Sequence, residues 1–231
     1  MCIIGEVVNL TDTCNCIEAE VKKKSVIIFD LYGTLVDWKH NIGSFIEFYV
    51  SKEAVNDFFE CDIREVRSYR PYKEILKKCL VEVSEKHGVL VGEDIIDSFI
   101  LTFSKSPPFP DTIYGLKVLR KHGFRTAVLS NTDKDIVNIT LHGFRELFDY
   151  IITAEDTKAY KPMEKAFLRA YEAMNIEPVQ AIHVSAYPQY DLEPASRMGA
   201  ATVLLDRELG YSWPLKVRSI LELTMVLSNI E

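Results

Sequence analysis

Apolar residues fall into two textures along this chain. In the first, short unbroken apolar runs stop at turn or polar residues. Val26 to Phe29 is one such run, and mostly apolar stretches at 126–130, 150–153, 181–185 and 201–205 read as further strands. Short, mostly apolar stretches of four or five residues predict strands covered on both faces. Between them the apolar positions recur at helical spacing, which predicts helices over 111–122, 133–142, 162–174, 194–198 and 216–227. Strands that alternate with helices imply right-handed crossovers and a parallel sheet with helices on both sides. The predicted fold class is therefore α/β, with a doubly wound parallel sheet.

The second texture fills residues 41–105. No run there is bounded like a strand. Apolar positions instead recur as Phe45, Ile46 and Tyr49, then Val55, Phe58 and Phe59, then Ile75, Leu76, Cys79, Leu80 and Val83, then Ile95, Ile96, Phe99, Ile100 and Phe103. Pro71 suits the start of a helix and Gly88 its end. This segment reads as an all-helical insert of about four helices. Pro107, Pro108 and Pro110 make a stiff return, since proline resists helix and strand interiors alike. The expected organisation is an N-terminal extension at 1–24, a sheet core from 25–40 and 106–231, and a helical cap at 41–105. Within the extension, residues 3–8 are a candidate added strand.

Composition narrows the class. The chain has 231 residues, 48% of them hydrophobic, and a formal net charge of −7. That length buries a full core without staples. A net negative chain is a poor nucleic-acid ligand, and Lys22 to Lys24 is too short a basic run to alter that. No apolar run approaches a bilayer-spanning length. Five cysteines, Cys2, Cys14, Cys16, Cys61 and Cys79, without a secretory start predict reduced thiols and a cytoplasmic protein. The spacing Cys14–Asn15–Cys16 lacks the second half of a zinc site.

Chemistry-bearing residues gather at strand ends. The first strand ends on Asp30, followed by Tyr32, Gly33 and Thr34. The second ends on Ser130 and Asn131. Lys161 precedes Pro162 after the third. Ser185 ends the fourth, and Asp191 follows six residues later. In a doubly wound sheet these ends open on one crevice. An ionised aspartate there can serve as nucleophile, and a nearby lysine, Lys161 before Lys158, favours the ionised form. Thr34 can hydrogen-bond that carboxylate. Ser130 and Asn131 are either ligand contacts or the cap of the helix that follows. His183 lies within a strand and reads as a hydrogen-bonded core residue.

The sequence Asp-Leu-Tyr-Gly-Thr, then Ser-Asn, then Lys-Pro, then a last aspartate, resembles the four motifs of the haloacid dehalogenase superfamily in order, over about residues 25–207. Tyr32, in place of a second aspartate, is similar to its 2-haloacid dehalogenase (type II) branch. The resemblance implies a Rossmann-like core with a helical cap. It implies a hydrolase with Asp30 as nucleophile, supported by Lys161, Asp191 and Thr34, and with Tyr32, Ser130, Asn131 and Ser185 around a small anionic substrate. It implies no cofactor and no metal, no nucleic-acid or membrane partner, and leaves a homodimer open.

Two departures from the superfamily's phosphatases agree with that branch. Tyr32 replaces the general acid, and a phenol is a poor acid near neutrality. Ala186 stands where an acidic magnesium ligand is expected, five residues before Asp191. A halide leaves carbon without a proton, so neither group is needed for dehalogenation. Other departures cut against a well-characterised dehalogenase. No arginine lies between Asp30 and Arg64, leaving Arg64, Arg67 and Arg70 as the nearest cap arginines. Phe167 replaces a tyrosine, and the segment 186–191 departs from the branch's pattern. A small-metabolite phosphatase with a rewired site and a non-catalytic binding protein are the competing expectations.

Overall fold

The computed structural model describes residues 25–207 and 209–228. The N-terminal extension, its candidate strand and Cys2, Cys14 and Cys16 lie outside the described residues. Six parallel strands form one sheet in the order β3-β2-β1-β4-β5-β6. They are β1 (Val26–Phe29), β2 (Arg125–Ser130), β3 (Tyr150–Thr153), β4 (Ala181–Ser185), β5 (Ala201–Leu205) and β6 (Lys216–Val217). The order reverses beside β1, so β1 sits at the topological switch point where such sheets bind ligands.

β1 is buried throughout, as its unbroken apolar run requires. Ile27 and Phe29 face one core, and Val26 and Ile28 face the other, as alternation along a strand dictates. The first core extends into four inserted helices: α1 (Trp38–Tyr49), α2 (Ala54–Glu65), α3 (Tyr72–Lys86) and α4 (Glu93–Ser104). These form the cap. Pro71 immediately precedes α3, and Gly88, with φ +74°, follows its end. The insert starts at Trp38, three residues earlier than the period suggested, because Asp37 accepts a hydrogen bond from the His40 N–H and caps α1.

The two chain crossings between sheet and cap pair with each other. Asp37 N donates to Pro107 O at 2.8 Å and Phe109 N to Leu35 O at 3.0 Å. Arg207 fastens the same place, donating to Thr34 O at 2.9 Å and pairing with Asp111 at 2.8 Å. Beyond it lie α5 (Thr112–Lys121), α6 (Lys134–Thr140), α7 (Ala154–Thr157), α8 (Glu164–Met174), α9 (Glu193–Arg197) and α10 (Ile220–Ser228).

Two expectations are corrected. The final helix does not begin at Lys216: Lys216 and Val217 pair with Leu204 and Leu205 as β6, and α10 starts at Ile220. Cys61 and Cys79 are not free thiols but are bonded to each other, with Cα atoms 5.6 Å apart. They lie on α2 and α3, which pack side by side and bring these two inward positions together. Among the described residues no helix is long and apolar enough to cross a membrane.

Candidate active site

Asp30 is the first residue past β1, and its N–H continues the ladder to Val184 O at 3.1 Å. The turn that follows folds back so that the N–H groups of Thr34, Leu35 and Val36 all reach Leu31 O. Gly33 makes this possible. Its φ is +85°, and a Cβ there would lie 2.1 Å from the Tyr187 hydroxyl. The turn aims the Thr34 hydroxyl at Asp30, where it donates to Oδ2 at 2.6 Å. Thr34 Oγ1 in turn accepts from Ala186 N at 3.0 Å.

Lys161 Nζ is buried and fully satisfied. It donates to Asp30 Oδ1 at 2.9 Å, Asp191 Oδ1 at 2.6 Å and Leu129 O at 2.8 Å. Its position is set from behind by Asn131, whose side-chain oxygen accepts from Lys161 N at 2.7 Å and whose amide donates to Lys161 O at 2.9 Å. Asp191 is carried inward by a π-helical turn, Pro188–Leu192. Its other oxygen accepts from Ser185 Oγ at 2.9 Å, and Ser185 accepts from Tyr187 N. Burial works to neutralise Lys161, but Asp191 and Asp30 outweigh it and hold its pKa above the usual range. Burial raises the Asp191 pKa most, Lys161 lowers it, and the charge of Asp30 raises it again, leaving it above the usual carboxylate range.

Tyr32 stacks on Phe103 with ring centroids 4.4 Å apart, and its hydroxyl lies 2.6 Å from Thr140 Oγ1. Thr140 directs its own hydrogen to backbone carbonyls of Ser104 and Ile136, so its oxygen accepts from Tyr32. The Tyr32 proton is thereby held away from Asp30. Burial also raises its pKa strongly. His183 is a neutral core residue: its Nε2 lies 2.8 Å from the Tyr171 hydroxyl, and burial pushes its pKa down to about 3.

A cavity of about 180 Å³ opens between these groups and the cap. Of the residues singled out in the sequence, Asp30, Tyr32, Ser130, Asn131 and Lys161 line it. Thr34, Ser185 and Asp191 lie behind that wall and act through hydrogen bonds. Ser130 Oγ is buried and has no hydrogen-bond partner among the described residues. Asn131 lines the cavity, but its amide is engaged with the Lys161 backbone. The helix after β2 takes its N-cap from Asp133, not from Ser130 or Asn131, so neither serves as that cap.

The cap wall went unread in the sequence. It brings Trp38, Lys39, Phe59, Asp62 and Tyr72, and Tyr187, Tyr190 and Tyr211 add to the lining. Asp62 was legible in retrospect, since it follows buried Phe58 by one helical turn and so shares its inward face. None of Arg64, Arg67 and Arg70 lines the cavity. Arg64 pairs with Glu65 and Glu82, and Arg70 with Glu65. Lys39 and Lys161 are the cationic residues in the lining.

A hard divalent ion suits this donor set poorly. Asp30 and Asp191 are the carboxylates at the strand ends, and both already face the Lys161 ammonium. The third place holds the Ala186 methyl group, and the Ala186 N–H is bound to Thr34.

Known proteins resemble this chain to different degrees. The chain is 25% identical over 190 residues to (S)-2-haloacid dehalogenase 1 of Pseudomonas sp., covering 78% of this chain and 83% of that protein. It is 28% identical over 191 residues to the phosphoglycolate phosphatase of Aquifex aeolicus, covering 78% of this chain and 83% of that one. The structure of L-2-haloacid dehalogenase from Xanthobacter autotrophicus superposes with a TM-score of 0.79 at 15% identity, over 90% of this chain and 99% of that chain, a likeness of fold. The sequence profile of the haloacid dehalogenase-like hydrolases matches residues 27–205, well over half of the chain. Sequence order, sheet topology and strand-end chemistry converge with that match, and the chain belongs to the haloacid dehalogenase-like hydrolases.

Proposed function

We propose that this protein is a metal-independent hydrolase of the 2-haloacid dehalogenase type, in which Asp30 displaces a halide from carbon. The observation that supports the reading is Ala186, whose methyl group stands where the superfamily's phosphatases place an acidic ligand and whose N–H is bound to Thr34, while the Lys161 ammonium bridges Asp30 and Asp191. Asp30 Oδ forms a bond to the carbon as the carbon–halogen bond breaks, and halide departs with the bonding electrons. Water then adds to the Asp30 carboxyl carbon. The ester opens there, one water oxygen stays on Asp30, the alcohol leaves, and one proton passes to solvent. No acid is required at the leaving group, which agrees with the Tyr32 hydroxyl being turned to Thr140. Lys161 and Thr34 each hold one Asp30 carboxylate oxygen, which fixes it for in-line attack. Lys39 supports a small anionic substrate, because its side chain lines the cavity and, among the described residues, has no ion pair of its own.

The test is single turnover in water labelled with heavy oxygen, followed by peptide mass spectrometry, after a screen of halogenated acids. Label on Asp30 is expected, with activity unchanged by chelator. Label only in the product, with Asp30→Asn still active, would mean direct attack by water.

A phosphatase is the second reading, favoured by the 28% identity to phosphoglycolate phosphatase. Phosphoryl transfer needs charge neutralisation, usually by magnesium. Turnover of phosphate esters that is lost on chelation and restored by magnesium would select it.

A further inference from the structure

The wall of the cavity opposite Asp30 carries a second carboxylate. Asp62, on α2, is 9% exposed and lines the same space as Asp30 and Lys161. Its Oδ1 accepts from the Tyr72 hydroxyl at 2.9 Å. Among the described residues no lysine, arginine or histidine forms an ion pair with it. Lys39 influences it through space, but its Nζ packs over two rings, 5.5 Å from the Phe59 ring centre and 5.3 Å from that of Tyr187. A desolvated carboxylate with one neutral donor is costly to keep unless something arrives to pair with it. The rings beside it, Phe59, Tyr72 and Tyr190, also line the cavity, and aromatic faces attract cations. The buried Ser130 hydroxyl on the far wall is likewise without a partner, as expected where a ligand supplies the missing contact.

We propose that Asp62 recognises a protonated nitrogen, so that the substrate is a small amine-bearing molecule whose cationic end points into the cap, away from the carbon presented to Asp30. This rests on the cavity being the substrate site, as proposed above. With Lys39 available for an acidic group of the same molecule, a zwitterion uses every unpaired charge of the cavity. The same carboxylate works against a substrate that carries only negative charge.

Binding of three probes of equal shape and different charge tests this without any turnover. Benzylamine, benzyl alcohol and benzoate are titrated calorimetrically into the full-length protein at about pH 7.5, where the amine is protonated. Benzylamine is expected to bind at least about tenfold tighter than either of the others, and Asp62→Asn, which keeps an acceptor for Tyr72, should erase the difference. Should that variant fail to fold, Lys39→Met serves instead: removing the neighbouring cation should tighten benzylamine roughly two- to fivefold. Equal binding of the three probes, stronger binding of benzoate, a benzylamine preference that survives Asp62→Asn, or one that Lys39→Met fails to strengthen would each overturn the proposal. A missing label on Asp30 would leave this binding result standing, and a failed binding result would leave the labelling result standing.

Discussion

The carboxylate of Asp133, just beyond β2 in the sheet core, accepts from the backbone N–H of Tyr72 at 2.9 Å. Its other oxygen accepts from Lys73 N at the same distance. Tyr72 and Lys73 open α3, and Pro71 before them offers no side-chain acceptor, so the core supplies what the cap helix lacks. The negative charge also meets the positive end of that helix. Tyr72 continues the connection by donating its hydroxyl to Asp62 in the cavity wall. Sheet, cap and cavity are thus joined through one residue pair.

Replacing Asp133 with alanine should therefore loosen the cap specifically. Two charge-assisted hydrogen bonds to a buried helix start disappear, at a cost of about 2–4 kcal/mol. Asp133→Asn keeps one acceptor and should lose less than half of that. Urea unfolding measures the cost. Equal stability of Asp133→Ala and the parent would show that the helix start finds another acceptor.

Lys161→Met should leave Asp30 and Asp191 facing each other without the ammonium between them. Breaking a buried ion pair from one side costs roughly 3–5 kcal/mol. The loss should shrink as pH falls. With Lys161 gone, burial and the charge of Asp30 raise the folded-state pKa of Asp191 still further above its unfolded value. The folded state then binds more protons, and its stability rises as pH falls through the raised pKa. Denaturation of the variant and the parent at about pH 8 and about pH 5 checks the sign; a larger loss at the lower pH would refute it.

Much of this site is legible in the sequence alone. Asp30, Lys161 and Asp191 were legible because each follows a buried strand or a turn signal, and the strand ends of a parallel sheet meet by topology alone. β6 was not legible: Lys216 and Val217 are too short a pair for a period to show. Asn131 was legible as a site residue but not in its role, since its bonds to the Lys161 backbone span thirty positions of sequence. The bond between Cys61 and Cys79 depends on how α2 and α3 pack, which spacing alone does not state. Asp62 was masked by its charge. A carboxylate on a helix ordinarily reads as solvated, and only its phase with Phe58 placed it inward.

That buried carboxylate has a pH signature. Burial pushes the Asp62 pKa up to about 6, with the Tyr72 hydroxyl and Lys39 pulling it back. Its unfolded value is about 4, so between about pH 4 and pH 6 the folded state binds more protons, and stability falls as pH rises through that window. Asp62→Asn cannot ionise. Relative to the parent it should therefore gain on the order of 2–3 kcal/mol between about pH 4 and pH 8. Chemical denaturation of both proteins at the two pH values decides; a difference that does not change with pH would refute the assignment.

Ser130 separates scaffold from ligand contact. It ends β2, is 1% exposed, and its hydroxyl lines the cavity without a partner. A buried hydroxyl in that position contributes nothing to the fold and carries a desolvation cost of about 1–3 kcal/mol. Ser130→Ala should then be as stable as the parent or slightly more so. If the hydroxyl meets the bound substrate, kcat/KM should drop about 10- to 100-fold, a loss of roughly 1.4–2.8 kcal/mol of transition-state stabilisation. The split between constants locates the contact. A rise in KM at constant kcat means that Ser130 holds substrate and transition state alike, whereas a fall in kcat means that the bond strengthens as the carbon–leaving-group bond breaks. Asn131→Ala is the contrasting variant, because its side chain positions Lys161 from behind. It should lose stability together with activity, through the two hydrogen bonds at 2.7 and 2.9 Å. If Ser130→Ala lost stability in the same way, its hydroxyl would be part of the scaffold after all, and the cavity wall at the end of β2 would have no ligand-facing donor from that residue.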